Sequence, residues 1–425
     1  MNHSKNADSV LMIAYTNYRT DPRVIRAAEA AVNAGFEVDF LALRREGDPA
    51  VEMIRGVRVI HVNQRRYRGR GLFRYMLAYL NFFIRCFSKS AALSLRKSYV
   101  VVHVNNMPDF LVFSTLVPKL MGAKVLLDIH DPMPNTFASK FKSGDNGFFF
   151  KLLLWQEKLS AWYADRVLTV HDPVKDLILV KHGLSRDSIQ VVANFADDQV
   201  FALNPHYQAD GRLRLIFHGT ILERYGLRTL VQALFLVRNK DRMSVKIIGE
   251  GDFSDELKRL IAAAGLEHFV NFDNRFYPMH DIPRIISDAN IGLVPLEISS
   301  ITNYALPLKL LEYISMGLPV ITVRNAAVSY YFGENDCFYF QPGDPESLRT
   351  VLDRLAEDPA LLMRYHERAV LLREKFRWSD EKQKYLSLLR GLLNHPVPAR
   401  STLLPGEGME RRDYPTKLKE SRGIH

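Results

Sequence analysis

Pro307 to Val323 reads PLKLLEYISMGLPVITV and holds one complete passage from helix to strand. Pro307 suits the opening of a helix and Gly317 suits its closing turn. Beyond Pro319, the run Val320–Val323 is short, apolar and β-branched, as in a strand buried on both faces. Lys309 and Glu312 are three residues apart and so share a helix face. A lysine in the first turn opposes the helix dipole, which makes sense if an anion binds beside it. Glu312 is then placed to accept hydrogen bonds from vicinal hydroxyls, as a carboxylate does from a ribose. The plainer alternative is a solvated Lys–Glu surface pair.

The same alternation runs outward in both directions. Val10–Tyr15, Glu37–Ala42, Val57–Val62, Val100–Val104, Lys124–Asp128, Arg166–Val170 and Ile189–Val192 read as strands. Helical patterns such as Arg23–Ala34, Pro108–Met121 and Asp172–His182 lie between them. After a pause rich in turn formers come Arg214–His218, Val245–Gly249, Val270–Phe272, Ile291–Pro295 and Val320–Val323. Strand–helix repetition of this kind means parallel sheets. The fold class is α/β, with two tandem Rossmann-like, doubly wound domains facing a cleft. The expected divisions are residues 1–196, a linker at 197–212, and a second domain at 213–375. A helix at 376–395 returns to the first domain, and 396–425 forms a flexible tail.

A chain of 425 residues is too long for one core, and 47% hydrophobic with 24% charged residues excludes a mostly disordered protein. No apolar run reaches the ~18 residues of a membrane span, and the N-terminus lacks the pattern of a signal peptide. The two cysteines, Cys86 and Cys337, support neither a disulfide framework nor a zinc site, which points to the cytoplasm. The net charge of +10 calls for an anionic partner.

Strand ends carry the candidate chemistry. Gly219 and Gly249 end the first two strands of the second domain and let a ligand approach the backbone. Arg224 precedes the next helix and supplies a cation for phosphate. In the first domain, Asn17–Arg23 follows the opening strand without a G-x-G-x-x-G, which disfavours the usual dinucleotide site. Arg19 and Arg23 there either line the cleft beside an anion or belong to a well-made helix start capped by Asp21. Asp128, His130 and Asp131 sit where a strand opens to the cleft. His130 can bond a sugar hydroxyl or shield developing charge, and a metal reading lacks a supporting ligand cluster.

Gln64–Tyr99 holds nine Lys or Arg, no acid and many aromatic and aliphatic residues. It reads as an interfacial helix drawn to anionic lipid, led by Arg65, Arg66, Arg68 and Arg70. The alternative is a packed helix behind a solvated basic loop. Nucleic acid is disfavoured because no recognition motif accompanies the charge.

Taken together, DPRVIRAAEA, LLDIHD, HGTILERYGL, KIIGEGD, DIPRIISDANIGLVP and PLKLLEYISMGLPVI resemble the GT-B fold glycosyltransferases of family 4 over roughly residues 8–390. The resemblance implies a retaining, metal-independent transferase without a cofactor, with a nucleotide-sugar on the C-terminal domain and a glycan or lipid-linked acceptor on the N-terminal one. The absence of a D-x-D pair agrees. By the same resemblance Glu312 holds the ribose, Arg224 and Lys309 lie near the diphosphate, and His130 lies near the donor sugar. Three positions depart from the family pattern: Tyr304 replaces a glutamate eight residues before Glu312, Thr220 an arginine, and Tyr225 a lysine. Tyr304 is still expected to border the donor sugar. The implied role is cell-surface polysaccharide synthesis, with the enzyme peripheral at the inner face of the cell membrane. The alternatives are a nucleotide-sugar epimerase on the same fold and a catalytically idle subunit of an assembly complex.

Overall fold

The computed structural model describes residues 7–67, 71–141, 147–299 and 302–394. Arg68, Arg70 and the expected tail at 396–425 lie outside the described residues.

The N-terminal sheet has eight strands: β1 (Ser9–Ala14), β2 (Glu37–Leu43), β3 (Val51–Ile54), β4 (Val57–Val62), β5 (Val101–Asn105), β6 (Lys124–Ile129), β7 (Arg166–Thr169) and β8 (Ile189–Val191). Their spatial order is β3-β4-β2-β1-β5-β6-β7-β8, and every pairing is parallel except β3 with β4. The second sheet contains β9 (Leu213–His218), β10 (Met243–Ile248), β11 (Val270–Asp273), β12 (Ile291–Val294), β13 (Val320–Val323) and β14 (Phe338–Phe340). It is wholly parallel, in the order β11-β10-β9-β12-β13-β14. In each sheet the order reverses beside the first strand, so both carry a crevice at their carboxyl ends.

Eight helices bear on the site: α1 (Pro22–Asn33), α2 (Leu72–Ser94), α3 (Leu116–Leu120), α4 (Met133–Phe141), α5 (Phe148–Tyr163), α6 (Leu227–Leu236), α7 (Leu308–Ser315) and α8 (Trp378–Asn394). Alternate residues of β1 feed opposite layers, as the period of a strand requires. Leu11 and Ile13 pack with residues of α2 and α5, while Val10 and Met12 pack with α1 and with Tyr385 and Leu389 of α8. The last described helix thus returns the chain to the N-terminal sheet.

The two crossings between the domains are tied together. The Trp378 N–H donates to Ala196 O at 3.1 Å, and the Ser379 N–H donates to Asp198 at 2.8 Å. Buried Arg26 of α1 donates to Phe195 O and Asn194 Oδ1 and lies 4.9 Å from the Trp378 ring centroid. Burial lowers its guanidinium to about 10, against the pull of Asp197.

Sequence and structure part at a few elements. Pro108–Met121 is a 3-10 segment, Asp109–Thr115, followed by the short α3. The Thr115 hydroxyl donates to Val112 O at 2.7 Å, a local bond that competes with the helical pattern. Asp172–His182 opens as one α turn and continues as a π segment, Lys175–Leu179. Strands β3 and β14 are not expected from sequence, and β3 lies at a sheet edge with no fully buried residue.

Candidate active site

Glycine backbone floors the C-terminal half of the site. Gly219 and Gly249 follow β9 and β10 with φ of +110° and +136°. A Cβ on Gly249 would stand 1.8 Å from Gly219 O, so only glycine lets these strand ends meet. A Cβ on Gly219 would lie 3.4 Å from Lys309 Nζ, which places the first turn of α7 directly over this floor.

Above it stands a buried polar cluster. Glu312 Oε2 lies 2.7 Å from His218 Nε2, and His218 Nδ1 lies 2.9 Å from the Tyr313 hydroxyl. His218 Nε2 donates to Glu312, and the Tyr313 hydroxyl also accepts the His218 backbone N–H at 3.1 Å and donates to Ile216 O at 3.1 Å, which ties the cluster to β9. Glu312 Oε1 has no hydrogen bond among the described residues. Lys309 is the most unusual member. Its Nζ is buried, has no hydrogen-bond partner, and sits 3.7 Å and 4.5 Å from the ring centroids of Phe217 and Tyr225. Burial pushes the ammonium down to about 7, with Glu312 opposing. Exposed Arg224 lies 5.4 Å from the other participant in that cage, the Tyr225 ring. Thr220 is exposed beyond the Gly219 turn.

The opposite wall comes from the N-terminal domain. His130 is 8% exposed and opens the loop after β6. Its Nε2 lies 3.0 Å from Asp128 Oδ2 and 3.1 Å from Asn105 Oδ1, both acceptors, so Nε2 carries the proton. Its Nδ1 is buried and unpartnered. Burial disfavours the Asp128 charge, but His130 and His103 outweigh it and hold the carboxyl well below the usual range. His103 in turn meets Tyr385 of α8 at 3.0 Å. A polar chain therefore runs from Tyr385 through His103 and Asp128 to His130.

A cavity of about 170 Å³ separates the domains, with Arg23, His130, Asp131 and Asn135 on one side and Tyr304, Ala305 and Leu306 on the other. Arg23 is held by Asp21 at 3.0 Å and faces Asp131 at 3.8 Å. Burial opposes the Arg23 charge, and Asp21, with Asp131 and Asp128, more than offsets it. Tyr304 also packs against the N-terminal core, so it belongs to the meeting of the two domains and not to the glycine floor. A second cavity, about 80 Å³, joins Arg23, His130 and Asp131 to Tyr15 and Arg66.

Several expected site residues stand elsewhere. Exposed Arg19 turns from the cleft to pair with Glu52 of β3, a carboxylate within its reach. Asp128 lines neither cavity and is bonded to His130 instead, at 3.0 Å. Arg65 pairs with Glu46 at 3.4 Å, whereas Arg66 reaches the cavity wall. His218, Asn105, His103 and Tyr385 are not singled out from sequence, because nothing local to any of them shows which distant side chain it meets.

Among the described residues, Asp48, Glu52 and His61 form one group with ligand-like spacing. All three are already partnered. Glu52 binds Arg19 and lies 2.9 Å from His61 Nε2, and Asp48 accepts the Arg45 N–H at 2.7 Å. This is a hydrogen-bonded link across the β3–β4 edge, away from the cleft.

Family models agree with this architecture. Residues 21–194 match the glycosyl transferase 4-like domain, and residues 212–358 match glycosyl transferases group 1. The chain belongs to the GT-B glycosyltransferases of the GT4 type. This glycosyltransferase is 26% identical over 185 residues to the amylovoran biosynthesis glycosyltransferase AmsK of Erwinia amylovora, a match spanning 43% of this chain and 45% of AmsK. It is 21% identical to an uncharacterized glycosyltransferase of Methanocaldococcus jannaschii over 82% of this chain and 90% of that one. In fold, it is similar to sucrose-phosphate synthase from Thermosynechococcus elongatus, with TM-score 0.69, 19% identity, and coverage of 91% and 99% of the two chains. It is likewise similar to Anabaena HepE in complex with UDP, with TM-score 0.67, 12% identity, and coverage of 90% and 100%. Among its described residues no helix is long and apolar enough to cross a membrane.

Proposed function

We propose that this glycosyltransferase moves a sugar from a nucleotide-sugar to a glycan or lipid-linked acceptor in cell-surface polysaccharide synthesis, with retention and without a metal. One observation carries the reading. A buried ammonium without a partner, Lys309, stands beside the Glu312–His218 pair over a glycine floor. An unpaired buried cation is costly, and a diphosphate supplies the missing partner. In this reading Glu312 accepts bonds from the ribose through Oε1. Lys309 and Arg224 take up the charge that develops on the diphosphate as the sugar–oxygen bond breaks, and Lys309, caged beforehand between two rings, needs little reorganisation. His130 faces the sugar across the cleft with its Nδ1 lone pair, oriented by Asp128. The link to AmsK by name supports the polysaccharide context. The basic, acid-free α2 with Arg65 and Arg66 supports a peripheral place at the inner face of the cell membrane.

The test is a thermal-shift and transfer screen against UDP, GDP, ADP and their sugars, with lipid-linked and free glycan acceptors. We expect one nucleotide to stabilise the protein and its sugar to be transferred in the presence of EDTA. Donor binding without transfer to any acceptor contradicts the enzymatic reading, and activity lost in EDTA but restored by magnesium contradicts metal independence.

A further inference from the structure

The outer layer of the N-terminal domain is apolar where a water-facing layer is ordinarily polar. On α2, Phe73, Leu77, Leu80 and Ile84 recur at helical spacing and are all exposed, Phe73 by 74%. On α5, Phe148, Leu152, Trp155 and Trp162 do the same, with Phe148 84% and Trp155 61% exposed. Both helices pack on the 3-10 segment Asp109–Thr115, and α3 beside α2 adds exposed Leu120 and Met121. Single exposed apolar residues are ordinary, but four at helical spacing on each of two helices that flank one segment mark a docking site.

Charge selects the occupant. Helix α2 contains no Asp or Glu. The only acid of α5, Glu157, is fully buried and bonded to His182 Nδ1 at 2.7 Å. The charges that α5 exposes are Lys151 and Lys158, and α2 exposes Arg74 and Arg85. Tryptophan and leucine ringed by cations, without acids, suit an anionic lipid interface. The face is also continuous with the cleft. Phe137 of α4 lies 5.9 Å from the Tyr75 ring of α2 and 6.2 Å from the Phe149 ring of α5. Asn135 and Thr136, immediately before Phe137 on α4, line the cavity between the domains.

We infer that α2 and α5 together form a docking face for an anionic bilayer, with α4 as the single helix between that face and the acceptor side of the cleft. The inference deepens the lipid-linked reading above and rests on it. An acceptor anchored in the bilayer reaches the cavity by passing α4, and its apolar chain stays in lipid.

The three tryptophans make this testable, since two of them, Trp155 and Trp162, lie on α5. The full chain is mixed with phosphatidylcholine vesicles or with vesicles that also contain phosphatidylglycerol. We expect sedimentation with the anionic vesicles only, a blue shift of tryptophan emission, and quenching by brominated acyl chains. Trp155→Ser and Leu152→Ser change exposed residues, and circular dichroism verifies their fold. Each should weaken partitioning by about tenfold, since roughly 1.5 kcal/mol of burial is lost. Vesicle binding with unshifted emission, lost on Phe73→Ser but not on Trp155→Ser, overturns the role of α5 and leaves the α2 reading standing. Equal binding to phosphatidylcholine alone overturns the charge argument. Failure to bind either vesicle removes both readings, as does a dimer that Trp155→Ser disperses.

Discussion

The ammonium of Lys309 sits 3.7 Å from the centroid of the Phe217 ring, and burial lowers it to about 7. Against an ordinary lysine near 10.4, the folded protein releases this proton over a pH range in which the unfolded chain keeps it. The unfolded chain therefore binds more protons from about pH 7 to 10, and this group makes the ligand-free protein more stable as pH rises through that window. A bound diphosphate reverses the preference. Calorimetry at pH 8 in two buffers of unlike ionisation heat should show uptake approaching ~1 proton per nucleoside diphosphate. Lys309→Met should abolish that uptake and weaken binding. Equal uptake in the variant assigns the proton to another group.

Glu312 is bonded through Oε2 to His218, leaving Oε1 for the ligand. Glu312→Ala removes the proposed ribose acceptor and strands a buried imidazole. Nucleotide affinity should fall by about 2 kcal/mol or more, with Glu312→Gln intermediate, because bonds to a charged acceptor contribute roughly 1.5–3 kcal/mol. Unchanged affinity in a calorimetric titration rejects this role.

Asp128 holds the Nε2 proton of His130 at 3.0 Å, so its effect should appear in turnover and not in nucleotide binding. Asp128→Asn can present an amide N–H to Nε2 and so favour the wrong tautomer. We expect kcat to fall by about 10²-fold, within the usual range for a misplaced proton-handling group, with nucleotide affinity unchanged. Loss of both together indicates a general structural role.

Gly249 offers a separate check on the floor of the site. Alanine there meets the Gly219 carbonyl at 1.8 Å on a backbone at φ +136°. The variant should lose about 3 kcal/mol or more, read as a lowered thermal midpoint. Gly265→Ala, at φ +63° with nothing within 4 Å, should cost only about 1 kcal/mol. Similar losses at the two sites contradict the close strand contact.

Much of this was legible because buried parallel strands and capped helices leave local marks. Pro307 and Gly317 bracket α7 to within a residue, and Asp21 caps α1 by accepting the Arg23 N–H. The donor-side cluster was legible in part, since the spacing of Lys309 and Glu312 places them on one face. Its other half was not. His218 reads as the last residue of a strand, and nothing local says that its ring meets a carboxylate 94 residues away. The same holds for Tyr385, which reaches His103 across 282 residues. Arg19 shows the opposite failure, because its loop suggested the cleft but Glu52, 33 residues on, captures it. Helix α5 was missed as a surface feature, since an apolar helix looks the same in sequence whether its face is covered or bare.

Tyr304 lies on the cleft cavity with Arg23, His130 and Asp131, and its ring packs against the N-terminal core. It is thus a side chain of the second domain pressed against the first, beside the space proposed for the donor sugar. A ring there narrows the pocket and offers a flat apolar face with one hydroxyl. Tyr304→Glu restores the family residue but sets a carboxylate near Asp131. It should change relative rates among donor sugars while leaving bare nucleotide affinity nearly constant, since Glu312, Lys309 and Arg224 remain. Tyr304→Phe keeps the ring and should keep the parent's donor order. Competition assays with paired donors read the ratio directly. Identical ratios for Tyr304→Glu and the parent mean that Tyr304 only packs the domain boundary. A lowered thermal midpoint with those ratios unchanged leads to the same conclusion, whereas a changed ratio at an unchanged midpoint assigns the ring to donor selection.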